Sequence, residues 1–284
     1  MAEKVERDHW HPGFIGAMEL EFRNDRSDLD FEREHQLSKE PLKMDLLIIK
    51  KRKDAVIENQ IGAIFRQYNI FEFKSPRDSL TIDDYIKTVG YAYLYKGLGK
   101  HTDEIPFSEL TVSLVRDVMP EGLFRSIEKE GGRIEERFPG IYYFTGVVGI
   151  PTQFILTSRL DPAQHTSLRL LTEHAREDDI VSFLQSAVIL KEPGDQQNVD
   201  AVLTVSSSAN YEAFENAMKR GEDMSDAMLE LMKDAIQERE QKAVDKSLVT
   251  VIKNLMKNSG WDSEKAMNAI GISPADQSRY AALL

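Results

Sequence analysis

The sequence predicts a mixed α/β (α+β) domain that is followed by a helical tail. Two short apolar runs, Met44–Lys50 and Ile70–Pro76, are bounded by charged or turn residues, as is typical of buried strands. Helical patterns separate the predicted strands, and helical patterns dominate after residue 160. We therefore expect a mixed central sheet flanked by helices.

The length of 284 residues favours one domain with an appendage or two domains. A polar stretch with Pro and Gly begins at Lys191, and a Ser-rich stretch ends at Asn210. We therefore expect a main domain over residues 1–190, a linker over 191–210 and a helical region over 211–284.

Composition excludes several classes of protein. The chain has no cysteine, so disulfides and thiolate metal sites are excluded and a reducing, cytoplasmic location is expected. No apolar run approaches 18 residues, so neither a signal peptide nor a membrane span is expected. The net charge of −12 argues against a broad DNA-binding face.

Periodicity and breakers predict the elements in order. The predicted helices begin at apolar stripes or capping residues: 14–23, 81–96, 120–130, 160–175, 178–190, 211–256 and two short ones in 261–284. The predicted strands are apolar runs or alternate in polarity: 31–37 and 42–50 as a hairpin, 69–74, 110–116, 141–144, 147–150 and 153–157. Residues 61–68 are ambiguous between helix and strand.

Three charged residues lie within the two apolar runs: Asp45, Glu72 and Lys74. Glu72 and Lys74 are two positions apart, so on a strand they point to the same face. Ionised side chains are rarely buried without partners, because desolvation costs several kcal/mol per ion. We expect Asp45 and Glu72 to share a divalent cation, with Lys74 beside it. The alternative is an ordinary Glu72–Lys74 ion pair at a strand end.

Glu21 falls on the apolar stripe of the first predicted helix, beside Phe14 and Met18. It is either a third carboxylate of the cation site or a partner of Arg23 or another base at the helix end. Tyr85 and Lys87 begin the helix after Lys74. They either reach a nucleic-acid backbone or, in the case of the tyrosine, pack with a wet hydroxyl.

The helical tail carries an apolar stripe that includes Met218, Met228 and Met232. Such a stripe packs in a core or supports self-association, so a homo-oligomer formed through the tail is expected as an option. Two short helices meet at Gly271, which also permits a helix–turn–helix DNA reader, but the second helix offers only Arg279 as a base.

The order Asp45, then Glu72-Phe73-Lys74, resembles the D…ExK core of the PD-(D/E)XK nucleases. The stretches Lys43–Lys51, Asn69–Tyr95 and Ala266–Ile272 are similar to the recombination-promoting nuclease and transposase-like branch of that superfamily. Met44 stands where the family motif has proline. The resemblance covers residues 10–160 and, more loosely, the tail.

The resemblance implies a restriction-endonuclease-like fold and Mg²⁺- or Mn²⁺-dependent cleavage of DNA linked to recombination or mobile elements. It implies that Asp45 and Glu72 ligate the metal, that Lys74 is catalytic and that Glu21 is the acid of the first helix. A desolvated lysine beside a metal can have a lowered pKa, which permits a role as a base.

Two functions therefore compete at this point. The first is a metal-dependent DNA endonuclease that hydrolyses phosphodiester bonds at Asp45, Glu72 and Lys74. The second is an inactive nuclease-fold protein that binds or regulates partners. Residues 101–200 favour protein partners, since they carry 17 acidic and 9 basic side chains.

Overall fold

The computed structural model describes residues 10–32, 46–220 and 224–284. The chain divides into two compact units, Met1–Leu231 and Met232–Leu284. The first unit contains a seven-stranded mixed sheet with helices on it, and the second is helical. The predicted fold class, a mixed sheet flanked by helices with a helical tail, is confirmed.

The sheet has the spatial order β1-β2-β3-β4-β7-β6-β5. Its strands are β1 (Leu29–Glu32), β2 (Leu46–Lys51), β3 (Tyr68–Phe73), β4 (Leu110–Arg116), β5 (Arg133–Phe138), β6 (Ile141–Thr145) and β7 (Thr152–Leu156). The pairs β3–β4 and β4–β7 are parallel, and the other neighbouring pairs are antiparallel. The predicted antiparallel pairing of β1 with β2 is confirmed, and the predicted turn and the rest of the strand over 31–37 lie outside the described residues.

Ten helices accompany the sheet in the described residues. In chain order they are α1 (Trp10–Glu21), α2 (Ile82–Gly97), α3 (Glu121–Lys129), α4 (Thr166–Arg169), α5 (Glu177–Ala187), α6 (Pro193–Ala209), α7 (Tyr211–Arg220), α8 (Asp226–Ser259), α9 (Ser263–Ala269) and α10 (Pro274–Ala281). None of the helices in this part of the chain is long and apolar enough to cross a membrane.

The two faces of the sheet are covered by different helices. On one face, Ile70 of β3 packs with Tyr85 and Val89 of α2 and with Leu123 of α3 in one buried cluster. Successive side chains of a strand alternate between faces, so Phe73 points the other way, where Phe14 of α1 stacks on it with ring centroids 4.7 Å apart. The strand β3 is thus buried on both sides.

Most of the predicted linker, residues 191–210, lies in helix α6 (Pro193–Ala209). Pro193 occupies the first turn of α6, where its missing N–H costs no hydrogen bond, so the Pro-Gly pair starts a helix here. Val202 and Val205 of α6 are buried, and α6 packs closely against α1. The division between compact units falls later, after Leu231.

Two further predicted elements differ from the structure, and one strand of the structure was not predicted. The strand predicted over 147–150 is absent, because Gly146 adopts a φ of +87° and turns the chain out of β6. The helix predicted over 160–175 shrinks to α4, and the Leu160 carbonyl accepts a hydrogen bond from the buried guanidinium of Arg169, which also donates to Asp179. The edge strand β5 was not predicted, because charged, exposed side chains hide its alternation.

The second unit, Met232–Leu284, has a small core of its own. Ile252, Ala266, Met267, Ile272 and Tyr280 are buried together there. Asp262 caps α9, as predicted, by accepting a hydrogen bond from the backbone N–H of Lys265 at 2.8 Å. Arg279 of α10, the base that a DNA reader would offer, forms an ion pair with Asp245 of α8.

Candidate functional site

The end of β3 fixes the backbone on which Glu72 and Lys74 stand. Glu72 lies between Leu46 of β2 and Leu114 of β4 in the sheet register. Beyond the last strand residue, the backbone N–H of Lys74 still donates to the carbonyl of Val115 at 2.9 Å. Both side chains are therefore carried by a paired, central strand, which holds catalytic groups more tightly than a loop does.

Lys74 lies between two carboxylates. Its Nζ donates to Oε1 of Glu72 at 2.9 Å and to Oδ1 of Asp84 at 2.9 Å. The predicted common face of Glu72 and Lys74 is confirmed by the first of these contacts. Asp84 was not predicted as a site residue, because its approach to Lys74 depends on how α2 packs against β3.

The start of α2 holds Asp84 in place through a capping box, in which Thr81 and Asp84 satisfy each other's backbone N–H groups. Oδ2 of Asp84 accepts from the Thr81 N–H at 2.9 Å and from its hydroxyl at 2.7 Å. The second oxygen, Oδ1, is the one that accepts from Lys74. The predicted Thr81 cap is thus confirmed, and it fixes a residue of the site.

The three groups perturb one another's protonation. Burial raises the pKa of the Glu72 carboxyl, and the nearby Lys74 ammonium only partly offsets this effect. For Lys74, burial acts to lower the pKa, but the contacts with Glu72 and Asp84 together raise it above its ordinary value. For Asp84, burial acts to raise the pKa, but hydrogen bonds from Lys74 and Thr81 outweigh it and the pKa is lowered.

A pocket of about 420 Å³ opens beside these groups. It is lined by side chains from β3, from the turn that follows it, and from the first turns of α1 and α2: Trp10, His11, Glu72, Phe73, Lys74, Ser75, Asp78, Ser79 and Asp84. The turn is closed by a hydrogen bond from the Ser75 hydroxyl to Asp78 at 2.7 Å. The Phe14–Phe73 stack brings the start of α1 to the pocket wall.

The structure does not bring Glu21 to this pocket. Its Oε2 lies 2.7 Å from Nδ1 of His165, and its Oε1 accepts from the Ser167 hydroxyl at 2.8 Å. His11 lines the pocket from the other end of α1, and ten residues of helix rise about 15 Å. The predicted placement of Glu21 as a third metal carboxylate is therefore wrong. Of its alternatives, the partner is another base, His165, and not Arg23, whose guanidinium donates to the Leu20 carbonyl.

The other predicted site residues lie in different places. Asp45 lies outside the described residues; its chain neighbour Leu46 pairs with Glu72 in the sheet. Tyr85 is buried, and its hydroxyl hydrogen-bonds Thr152 at 3.3 Å. It therefore packs in the core, but with a buried and not a wet hydroxyl, and the predicted DNA-backbone contact is wrong. Lys87 is half-exposed, and its Nζ lies 3.7 Å from Oδ1 of Asp84, so it stands at the rim of the site.

Comparisons with known proteins do not identify a relative of this chain. No family model, curated protein or solved structure matches the chain.

The donor chemistry of the pocket suits a hard cation only in part. Within residues 10–32, 46–220 and 224–284, no group of three or more His, Asp or Glu side chains is arranged to hold a metal ion. Glu72 and Asp84 do place two carboxylates in one pocket, and carboxylate oxygens are the ligands that Mg²⁺ and Mn²⁺ prefer. A cation beside Glu72 would also favour its ionised form, which burial disfavours. The carboxylates that are present therefore fit such an ion.

Proposed function

We propose that this chain is a metal-dependent DNA endonuclease that hydrolyses phosphodiester bonds at the Glu72–Lys74 pocket. The observation that carries the proposal is the Lys74 ammonium at 2.9 Å from the Glu72 carboxylate, at the wall of an open pocket. The D…ExK pattern and its flanking phrases resemble the PD-(D/E)XK nucleases and supply the reaction class, together with its link to recombination or mobile elements.

Glu72 would hold the metal, with Asp45 as the second ligand that the resemblance implies. If Mg²⁺ or Mn²⁺ were bound there, it would supply a water of lowered pKa and neutralise charge on the phosphate. Glu21 of α1 does not supply a third carboxylate in this proposal, because its side chain is hydrogen-bonded to His165 and Ser167.

Lys74 acts as a cation in this mechanism. Glu72 and Asp84 raise the pKa of Lys74 in the metal-free chain, which favours a protonated side chain over a general base. A protonated Nζ orients the attacking water and stabilises negative charge that develops on the phosphate oxygens. Asp84 holds the ammonium at this place, and half-exposed Lys87 adds positive charge at the rim.

The test is nicking of supercoiled plasmid by the purified full-length chain in Mg²⁺, in Mn²⁺ and in EDTA. We expect metal-dependent conversion to open circles that Lys74→Ala abolishes. The matched control is Lys96→Ala, which removes a lysine of α2 whose partner is the exposed Asp103. Equal activity in wild type and Lys74→Ala would remove the assigned site.

A second function, a binding or regulatory module with a nuclease-like core, is favoured by one observation. Lys74 is already paired with both Glu72 and Asp84, as in a purely structural ion-pair network. The same assay separates the two functions, because a binding module nicks plasmid in neither metal. Isothermal titration of Mn²⁺ into wild type and Glu72→Gln then asks whether the pocket binds a cation at all.

A further inference from the structure

Helix α2 is apolar on both of its sides. Its inner side, with Tyr85, Val89, Ala92 and Tyr95, is buried in the main core. Its outer side presents large apolar side chains to solvent: Ile86 is 47% exposed, Tyr93 41%, Leu94 46% and Leu98 58%. A helix with large apolar side chains on both sides normally buries both of them, although the charged Asp83 and Lys87 also lie on the outer side of α2.

These exposed side chains form one patch. Residues 86, 93, 94 and 97 recur at the spacing that places side chains on one stripe of a helix. Phe107, which is 44% exposed, extends the stripe, because its ring stacks on Tyr93 at 5.7 Å between centroids and an angle of 11°. We call this surface, made by Ile86, Gly90, Tyr93, Leu94, Gly97, Leu98 and Phe107, the outer face of α2.

Two glycines of the outer face are not required by packing within the described residues. A Cβ added at Gly90 or Gly97 would meet nothing within 4 Å, so the fold of the described residues does not require glycine there. Glycine inside a helix is less favourable than alanine. By contrast, a Cβ at Gly13 of α1 would lie 2.5 Å from Val205 of α6, so glycine there serves close helix packing.

From this surface we infer that two copies of the chain dimerise by antiparallel packing of the outer face of α2 about a two-fold axis. With the axis midway along the helix, between Tyr91 and Ala92, Tyr93 of one copy faces Gly90 of the other. In the same register, Ile86 faces Gly97. Each bulky side chain thus meets a glycine, which is the self-complementarity that an isologous interface requires.

Charge supports the same register and direction. Asp83 is exposed in the first turn of α2, and Lys100 is exposed just beyond its last turn. In the antiparallel arrangement the acidic start of each α2, with Asp83, lies near the end of the other α2, where Lys100 follows the last turn. A parallel arrangement would place like charges together and would set Tyr93 against Tyr93, so it is disfavoured.

The first measurement is the molar mass of the full chain by light scattering at tens of micromolar concentration. We expect twice the 32.4 kDa of one chain for wild type. Leu94→Glu places an unpaired charge in the contact and should raise the dimer dissociation constant about a hundredfold or more. The control Ile189→Glu changes a residue that is 70% exposed outside the outer face, and it should remain dimeric.

Register is tested by cross-linking, for which a chain without cysteine is well suited. A short bis-maleimide should join Ile86→Cys protein to Gly97→Cys protein in a mixture, but should join neither variant to itself. Asp83→Lys and Lys100→Asp should each weaken the dimer, and the two changes combined in one chain should restore it.

Other outcomes overturn the inference. A monomeric wild type would mean that the outer face contacts a different partner protein and not a second copy of the chain. A dimer that survives Leu94→Glu would place self-association elsewhere, for example in the helical tail. Self-coupling of Ile86→Cys would exclude the antiparallel register. None of these results depends on nuclease activity, so the inference fails or stands independently of the proposed function.

Discussion

Nζ of Lys74 lies 2.9 Å from Oδ1 of Asp84, and this contact ties the end of strand β3 to the first turn of helix α2. The other oxygen of Asp84 belongs to the Thr81 capping box. One carboxylate therefore couples a local motif, readable from sequence, to a tertiary contact at the pocket. The position of the lysine depends on the helix start as well as on its own strand.

We expect Asp84→Asn to lower the pKa of Lys74, because it removes a negative charge and a charge-assisted hydrogen bond. The measurement is an NMR titration of ¹³C-methylated lysines. Asn retains an oxygen that can accept from Thr81, so the helix cap survives. The matched control, Asp83→Asn, removes the neighbouring exposed acid and should leave the pKa of Lys74 unchanged.

Stability against pH provides a second readout of the same variant. The pKa of Asp84 is lowered in the folded state, so its contribution to stability is present above the unfolded value near 3.8 and is lost as pH falls through the folded pKa. The difference in unfolding free energy between wild type and Asp84→Asn should thus shrink in acid. A difference that stays constant down to pH 2 would contradict the assignment.

Glu72→Gln should show the opposite dependence on pH. Because burial raises the pKa of Glu72 in the folded state, its ionisation opposes folding as pH rises from the unfolded value near 4.5 through the folded pKa. The unfolding free energy of Glu72→Gln relative to wild type should therefore increase between pH 4 and pH 7, as measured by urea denaturation. A relative stability that falls over this range would mean that Lys74 outweighs burial.

Local signals predicted much of the fold, and tertiary contacts account for most of what was missed. The Thr81 cap, the strand at 110–116 and the common face of Glu72 and Lys74 follow from spacing alone. The helical projection correctly buries Glu21, but a projection does not say which neighbour lies opposite, and that neighbour proved to be His165. Asp84 carried only the signal of a helix start, because its second role arises from packing between α2 and β3.

Glu21, unlike Glu72, is expected to contribute to stability and not to nicking. Replacing Glu21 by Ala removes the buried partner of His165 Nδ1 and one of the two acceptors of the Ser167 hydroxyl, which should cost roughly 1–3 kcal/mol in urea denaturation. Metal-dependent nicking by the protein that remains folded should be unchanged, since Glu21 lies at the far end of α1 from the pocket. Loss of nicking without loss of stability would mean that Glu21 acts in the active site.

The contact between α1 and α6 predicts opposite effects for two glycines. Gly13→Ala would place its Cβ 2.5 Å from Cγ1 of Val205, whose branched side chain has little freedom to move, so we expect destabilisation by about 1–3 kcal/mol. Gly122→Ala in α3 meets nothing within 4 Å and should stabilise the protein by about 0.5–1 kcal/mol through helix propensity. Thermal unfolding of both variants measures the two signs.

A double-mutant cycle with Val205→Ala identifies the cause of the Gly13 effect. Val205→Ala alone costs stability, because the side chain is buried. If the clash with Val205 is the reason that Gly13→Ala destabilises, the double variant should be more stable than the sum of the two single changes predicts. Strict additivity would instead assign the cost to the backbone of α1, and the close approach of α1 to α6 would then not be what requires glycine at this position.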